Sequence, residues 1–344
     1  MRILILGANG FIGSHLSAAI LAKTNWEIVG IDLADDRLEE SLKNPRFHLI
    51  KADITENPRL VTSEVAAADV VLPLVAIATP SAYVTKPLAV FELDFEANLA
   101  VIRDCVQFKK RVIFPSTSEV YGMCDDPEFK EETSPLVMGP AHKHRWIYGA
   151  SKQLLDRLLF AYGMEKGLKF SIFRPFNWVG PKLDNISAAK EGSSRMMTQF
   201  IGNILRGQDI KLVDGGNQRR CFIYIDDAVE AVVKIIENKD GAADGKIFNI
   251  GHPGNDYSVR EVAEMLLQAV AFYPGYGDIA KRVKITHVPG ENYYGEGYQD
   301  IPARVPSIAE ANKYLKWQPT TGMEDIIKKT LDYYVPRWKE SSAA

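Results

Sequence analysis

Arg2-Ile-Leu-Ile-Leu-Gly-Ala-Asn-Gly-Phe-Ile-Gly13 is the stretch that decides the fold. Ile3–Leu6 reads as a short buried strand, and Gly7-Ala-Asn-Gly10-Phe-Ile-Gly13 follows it at once. A helix over Phe11–Ala22 comes next. Glycines here let the chain turn tightly and let backbone N–H groups approach an anion at the helix N-terminus, and Gly13 permits close packing of helix on sheet.

The same alternation continues outward. Glu27–Ile31, Phe47–Ile50, Val70–Leu74 and Val112–Phe114 read as further strands, and Phe170–Phe173 as a sixth. Pro58–Val65 and Val90–Phe108 read as helices between them, and another helix carries Tyr148 and Lys152. Apolar strands alternating with helices imply a parallel sheet covered on both faces, an α/β doubly wound fold of the Rossmann type. After Arg174-Pro175 the pattern loosens, and Gly, Asn, Ser and charged residues fill 177–195, as in a loop bordering a ligand. Met196–Leu205, Val229–Glu237, Val259–Ala269 and Met323–Tyr334 read as helices. The expected division is a nucleotide-binding domain over 1–175 and a smaller carboxyl-terminal substrate-binding lobe over 176–344, with some strands and helices returning to the first domain.

Composition narrows the function classes. The chain has 344 residues, 46% hydrophobic and 25% charged, with a net charge of −3. Its basic residues form no long run, so neither nucleic acid nor a membrane surface is expected as a partner. Cys105, Cys124 and Cys221 are far apart and odd in number, which reads as reduced thiols in a cytoplasmic protein. His142 and His144 lack carboxylate or cysteine company, so no metal site is expected. Met1 leads straight into a strand without a basic segment and a separate apolar one, so no signal peptide is expected.

Two further runs carry chemistry. Asp32 ends the second strand, where an acid accepts from both ribose hydroxyls of a dinucleotide and repels a 2′-phosphate, which favours NAD over NADP. Asp53, after the third strand, is within reach of the adenine amino group in such a fold. Thr117-Ser-Glu-Val-Tyr-Gly122 follows the fifth strand, and Tyr148-Gly-Ala-Ser-Lys152 lies on the next helix. Four-residue spacing sets Tyr148 and Lys152 on one helix face. A neighbouring ammonium favours the phenolate, which makes Tyr148 a base for a substrate hydroxyl. Glu119 beside this pair suggests that more happens after the oxidation.

Together these motifs resemble the extended short-chain dehydrogenase/reductase superfamily, over essentially the whole chain. The finer resemblance is to the UDP-glucuronate decarboxylases, of the type found as the decarboxylase domain of bacterial ArnA. It rests on Val71-Leu-Pro-Leu-Val-Ala-Ile-Ala-Thr-Pro80, Phe114-Pro-Ser-Thr-Ser-Glu-Val-Tyr-Gly-Met123, Arg174-Pro-Phe-Asn-Trp178, Gly192-Ser-Ser-Arg195 and Tyr294-Gly-Glu-Gly-Tyr-Gln-Asp300. The plant UDP-apiose/UDP-xylose synthases share part of this pattern. Because the chain starts at the glycine loop, without a formyltransferase half, formyl transfer is not expected of it.

The resemblance implies NAD as cofactor, UDP-glucuronic acid as substrate and a homodimer that pairs Val90–Phe108 and Trp146–Gly163 across a two-fold axis. It implies a catalytic set of Thr117, Ser118, Glu119, Tyr148, Lys152 and Arg304. Arg304 matches the arginine that the decarboxylases set against the carboxylate end of the substrate. Gly7, Asn9, Gly10, Phe11, Ile12, Gly13, Asp32, Asp53, Ile54 and Ala76 are expected to hold the cofactor, together with Thr117, Tyr148 and Lys152. Asn177, Arg195, Lys211, Gln218, Arg220 and Tyr298 are expected to hold the UDP end. Ser118 stands where sugar 4,6-dehydratases carry an aspartic acid, which argues against dehydration. Simple 4-epimerases usually lack an acid at the position of Glu119.

Overall fold

Alternate side chains of a strand point to opposite faces of its sheet. In β1 (Arg2–Leu6), Ile3 and Ile5 join one apolar cluster, Leu4 and Leu6 join another, and all four are buried. A strand apolar on both faces needs cover on both, so the sheet lies between helical layers. Each such side chain contributes roughly 1.5–3 kcal/mol of burial relative to exposure. In the computed structural model, residues 1–189, 194–294, 299–301 and 303–343 are described.

Among the described residues the central sheet has seven parallel strands. Six are β1, β2 (Glu27–Asp32), β3 (Phe47–Lys51), β4 (Val70–Pro73), β5 (Arg111–Pro115) and β6 (Phe170–Pro175), and the seventh is Lys246–Ile250. Lys246–Ile250 lies at one edge, followed in space by β6, β5, β4, β1, β2 and β3. Ile3 of β1 is in register with Ile28 on one side and Val70 on the other. Strand order therefore reverses at β1, and a crevice opens outside the carboxyl ends of β1 and β4.

Helices α1 (Phe11–Lys23) and Ile225–Glu237 supply Leu16, Ile20, Ala228 and Val232 to one face of the sheet. The short α2 (Glu39–Leu42) follows β2, and α3 (Pro58–Ala67) covers the other face with Val61 and Val65. After β4 come α4 (Pro80–Thr85), α5 (Pro87–Phe91) and α6 (Asn98–Gln107), and α7 (Trp146–Lys166) precedes β6. Ile102, Leu155 and Leu159 of α6 and α7 complete that second face. Beyond β6 the chain forms two-stranded pairs, Ile210–Val213 with Ile285–Val288 and Arg219–Cys221 with Asp256–Ser258. Among the described residues no helix is long and apolar enough to cross a membrane.

Two elements depart from the sequence reading. The helix expected over Val90–Phe108 is broken by a π-helical turn, Glu92–Ala97, between α5 and α6. The buried Asn98 side chain donates to the carbonyls of Leu93, Asp94 and Val75, at 3.1, 3.2 and 3.3 Å, and so pins this turn to the end of β4. Lys246–Ile250 has a polar residue, Asn249, fully buried in the sheet. Asn249 N donates to Glu131 Oε1 at 2.8 Å, Nδ2 donates to the Phe129 carbonyl at 2.9 Å, and Oδ1 accepts from the Tyr121 hydroxyl at 2.8 Å.

The glycine loop is tight. A Cβ at Gly13 would lie 2.3 Å from the Gly7 carbonyl oxygen and 2.8 Å from that of Ala8. Both are backbone atoms that cannot swing away. Gly13→Ala is therefore expected to lower the unfolding free energy by about 2 kcal/mol, the order of an overpacking penalty, as measured by urea denaturation.

Candidate active site

At the carboxyl ends of β1, β4, β5 and β6 the connecting loops surround a cavity of about 460 Å³. Gly7, Gly10, Phe11, Ile12 and Gly13 form one part of its wall, and Ala76 follows from the loop after β4. Helix α1 begins at Phe11 with Gly10 as its cap, no side chain accepting from its first N–H groups, and no acid in its first turn. Its first turn thus presents N–H groups with no side-chain cap and no acid beside them, and Gly13 lets the Gly7 and Ala8 carbonyls pack close against the helix. These residues fit the pyrophosphate of a dinucleotide.

Asp32 ties this loop down. One carboxylate oxygen accepts from Asn9 N at 2.8 Å and the other from Leu33 N and Ala34 N, at 2.7 and 3.3 Å. A carboxylate offers about four acceptor sites, so it retains capacity for a ribose hydroxyl. Neither Asn9 nor Asp32 is part of the cavity wall. Asp53 and Ile54 also lie off the wall. Asp53 Oδ1 caps its own turn, accepting from Thr55 N and Oγ1 at 2.8 and 2.6 Å, and these bonds hold its carboxyl below the usual range.

The catalytic candidates converge. Thr117, Ser118, Glu119, Tyr148, Lys152 and Arg304 all line the cavity. Thr117, Ser118 and Glu119 leave β5 in a single 3-10 turn, in which the Thr117 hydroxyl accepts from Glu119 N at 3.2 Å. Tyr148 and Lys152 sit one turn apart on α7. Arg304 arrives from far along the chain, and its segment is anchored by Phe129 N donating to the Val305 carbonyl and Ser307 N to that of Phe129.

Glu119 is the centre of charge. Arg145 Nη1 donates to its Oε2 at 2.6 Å, Arg304 Nη1 donates to its Oε1 at 3.3 Å, and Arg304 Nη1 also lies 3.5 Å from Ser118 Oγ. Burial alone would raise the Glu119 carboxyl, but the two guanidinium groups outweigh it and bring it down to about 2. Glu119 is thus an anion at neutral pH and no proton donor. Burial pulls Arg304 down to about 10 against the attraction of Glu119, and Arg304 remains charged at neutral pH.

Tyr148 behaves differently from the sequence expectation. Its phenol is pushed well up, first by burial, then by the charges of Asp94 and Glu119, with Thr117 and Arg195 acting the other way. Lys152 meets Asp94 at 3.9 Å and the face of Phe114 at 4.8 Å. Tyr83 stacks on Tyr148 with centroids 4.7 Å apart. The lysine is thus paired with a buried carboxylate, whose charge offsets the lysine's pull on the phenol.

The expected UDP-binding residues Asn177, Arg195, Lys211, Gln218 and Arg220 share the same cavity, whereas Tyr298 lies outside the described residues, as do Gly192 and Ser193 of the run before Arg195. Arg195 is ion-paired with Asp184 at 2.6 Å and Arg220 with Asp300 at 2.6 Å. Both fork-shaped cations are thus held in position by acids. Arg145, Tyr83 and Asp94 were not singled out from the sequence. Arg145 precedes α7 in a charged run, His142-Lys-His-Arg145, whose pattern reads as a solvated loop.

The comparisons agree with this architecture. The sequence profile of the NAD dependent epimerase/dehydratase family matches residues 3–251. The chain is similar to the crystal structure of the PbgP3 protein from Burkholderia pseudomallei, at 50% identity and a TM-score of 0.89, over 98% of this chain and 97% of that one. In fold it is similar to UDP-glucuronic acid 4-epimerase from Bacillus cereus, crystallised with UDP-glucuronic acid and NAD, at 22% identity and a TM-score of 0.82 over 98% and 100% of the two chains. A dTDP-glucose 4,6-dehydratase from Bacillus anthracis, in complex with NAD, shares the fold at 19% identity and a TM-score of 0.79, over 98% of each chain.

Glu119→Gln would leave Arg145 and Arg304 buried without their counter-charge, at an expected cost of about 3 kcal/mol in urea unfolding. The folded Glu119 carboxyl is depressed, so its contribution is complete above the unfolded value of 4.5 and fades as pH falls toward 2. The stability gap between wild type and Glu119→Gln should close over that interval.

Proposed function

The chain belongs to the NAD dependent epimerase/dehydratase family, with NAD as its cofactor, and from that premise we propose that it oxidatively decarboxylates UDP-glucuronic acid to a UDP-4-keto-pentose. The observation that carries this reading is the cluster in which Arg304 and Arg145 brace Glu119 beside the Thr117–Tyr148 hydroxyls. Cations in excess of acids at that end suit a sugar with a carboxylate, and Ser118 in place of an acid does not suit dehydration. In this reading residues 1–175 bind the cofactor and 176–344 bind mainly the sugar nucleotide, and the protein is a homodimer through α6 and α7.

NAD, when bound, supplies the acceptor for the hydride that leaves C4, and one positive charge. The chain's own residues do the rest. Tyr148 takes the C4 hydroxyl proton, with Lys152 as the local cation that favours its phenolate. The oxidised sugar is a β-keto acid. Its C5–C6 bond breaks, carbon dioxide leaves, and the electron pair moves to the C4 oxygen as an enolate. Thr117 and the now protonated Tyr148 donate to that oxygen, each contributing on the order of 3 kcal/mol. Arg304 orients the carboxylate before it leaves. Ser118, 3.5 Å from Arg304, gives C5 its proton and is reprotonated from water. Glu119, held ionised, keeps Arg304 and Arg145 aimed.

UDP-glucuronate and NAD⁺ should yield carbon dioxide. Lasting NADH with a UDP-4-keto-pentose marks release of the reduced cofactor, UDP-xylose without NADH marks its return to the intermediate, and UDP-apiose marks ring rearrangement first. A product epimerised at C4 with no carbon dioxide overturns the decarboxylase reading in favour of a 4-epimerase. Tyr148→Phe should lower NADH formation by roughly 10²–10⁴-fold while UDP-sugar binding persists. Arg304→Met should lower the yield of carbon dioxide by roughly 10²-fold or more, and unchanged yield excludes its role.

A further inference from the structure

Asp94 is an acid with 0% exposure that neither the chemistry above nor the folding of a plain helix requires. It lies inside the π-helical turn Glu92–Ala97. Such turns are rare, and they occur frequently at functional sites because the wider ring displaces side chains from the helical register. Asp94 Oδ2 accepts from Ile77 N at 2.9 Å, which joins it to the loop that carries Ala76 and Ala78 into the cavity wall. Among the described residues Asp94 Oδ1 has no hydrogen-bond partner, and it is the atom that lies 3.9 Å from Lys152 Nζ.

A buried carboxylate oxygen without a hydrogen bond is costly, and an opposite charge at that distance is what offsets the cost. The lysine has the matching problem. Lys152 is 1% exposed, with the Phe114 ring 4.8 Å from Nζ. The other acid near it, Asp156 on α7, is already paired with Arg174 at 3.0 Å and accepts from Ser116 Oγ at 2.9 Å. Among the described residues the phenols of Tyr148 on α7 and Tyr83 on α4 also feel the charge of Asp94, together with that of Glu119.

We propose that Asp94 is a positioning residue for Lys152: from the π-helical turn it fixes the lysine ammonium beside Tyr148 and keeps it charged in an apolar pocket. Burial pulls the lysine down, with Asp94 and then Asp156 opposing that fall. Burial likewise raises Asp94 to about 6, against the pull of Lys152. The arrangement also delays the base. Asp94 is the first of the charges that raise Tyr148, so the phenol keeps its proton while the lysine is matched to the acid. The inference rests on the Tyr148–Lys152 oxidation in the proposed function, but not on which sugar is used.

Carbon-13-labelled lysine, followed by NMR in the ligand-free protein, tests it, with Lys152→Met assigning the Lys152 resonance. Without Asp94 the lysine gives up its proton at lower pH. Asp94→Asn should lower the Lys152 midpoint by more than one pH unit, which is about a tenfold or greater loss of proton affinity. Asp94→Glu, which keeps the charge, should restore much of that shift. In turnover, the alkaline limb of the kcat/KM profile should move to lower pH in Asp94→Asn. An unmoved Lys152 midpoint overturns the proposal. Where Asp94→Asn unfolds alone, Asp94→Asn with Lys152→Met should fold, because the two uncompensated charges are removed together, and strict additivity of the two in urea unfolding also overturns it. Failure to release carbon dioxide with a shifted midpoint rejects the decarboxylase reading and leaves the Asp94 role standing.

Discussion

Glu119, Arg145 and Arg304 form a buried charge cluster that joins three stretches of chain: the turn after β5, the approach to α7 and a loop near the carboxyl terminus. Each ion would be expensive to bury alone, and the loss of one partner leaves the others uncompensated. The cluster therefore specifies how the carboxyl-terminal residues sit on the sheet. It also gives one end of the cavity its chemistry, since an ionised Glu119 acts as a brace for arginines rather than as an acid. The anchoring of the Arg304 segment through Phe129, whose carbonyl also accepts from the sheet residue Asn249, carries the same constraint into the core.

At the other end of the cavity, burial and charge work on Tyr148 and Lys152 in a linked way. Tyr148 is raised by burial and by Asp94 and Glu119, while Lys152 is matched to Asp94. In the proposed reaction the base is therefore a phenol that its own pocket holds protonated. The cavity thus has an arginine-rich end and a tyrosine–lysine end, and the proposed oxidation and loss of carbon dioxide assign the carboxylate to the first and the alcohol to the second.

The sheet was legible because its signals are local. Ile3–Leu6, Glu27–Ile31 and Phe170–Phe173 are short apolar runs bounded by loops, and the glycine loop after β1 marks the point where strand order reverses. The π-helical turn was not legible. Val90–Phe108 keeps a helical apolar spacing throughout, and the turn depends on Asn98 reaching the Val75 carbonyl in the loop after β4. Lys246–Ile250 escaped for a similar reason: Asn249 reads as a loop residue until Glu131, Phe129 and Tyr121 satisfy it. Among the site residues, Tyr148 and Lys152 follow from helical spacing and Thr117 from its motif. Arg145 and Asp94 resemble ordinary surface charges, and only burial distinguishes them.

By itself the sequence determined the α/β class, the glycine loop after β1, and a tyrosine and a lysine set one helical turn apart, because each depends on residues within a few positions of one another. It also supplied Arg304 as a candidate, through a resemblance that carries no distance. The tertiary structure decided that Arg304 and Arg145 meet Glu119, that Lys152 meets Asp94, and that Asp53 caps its own turn away from the cavity. Such decisions are non-local. The ionisation of a buried group follows from which charges share its pocket, and that neighbourhood exists only once segments far apart in the chain have packed together.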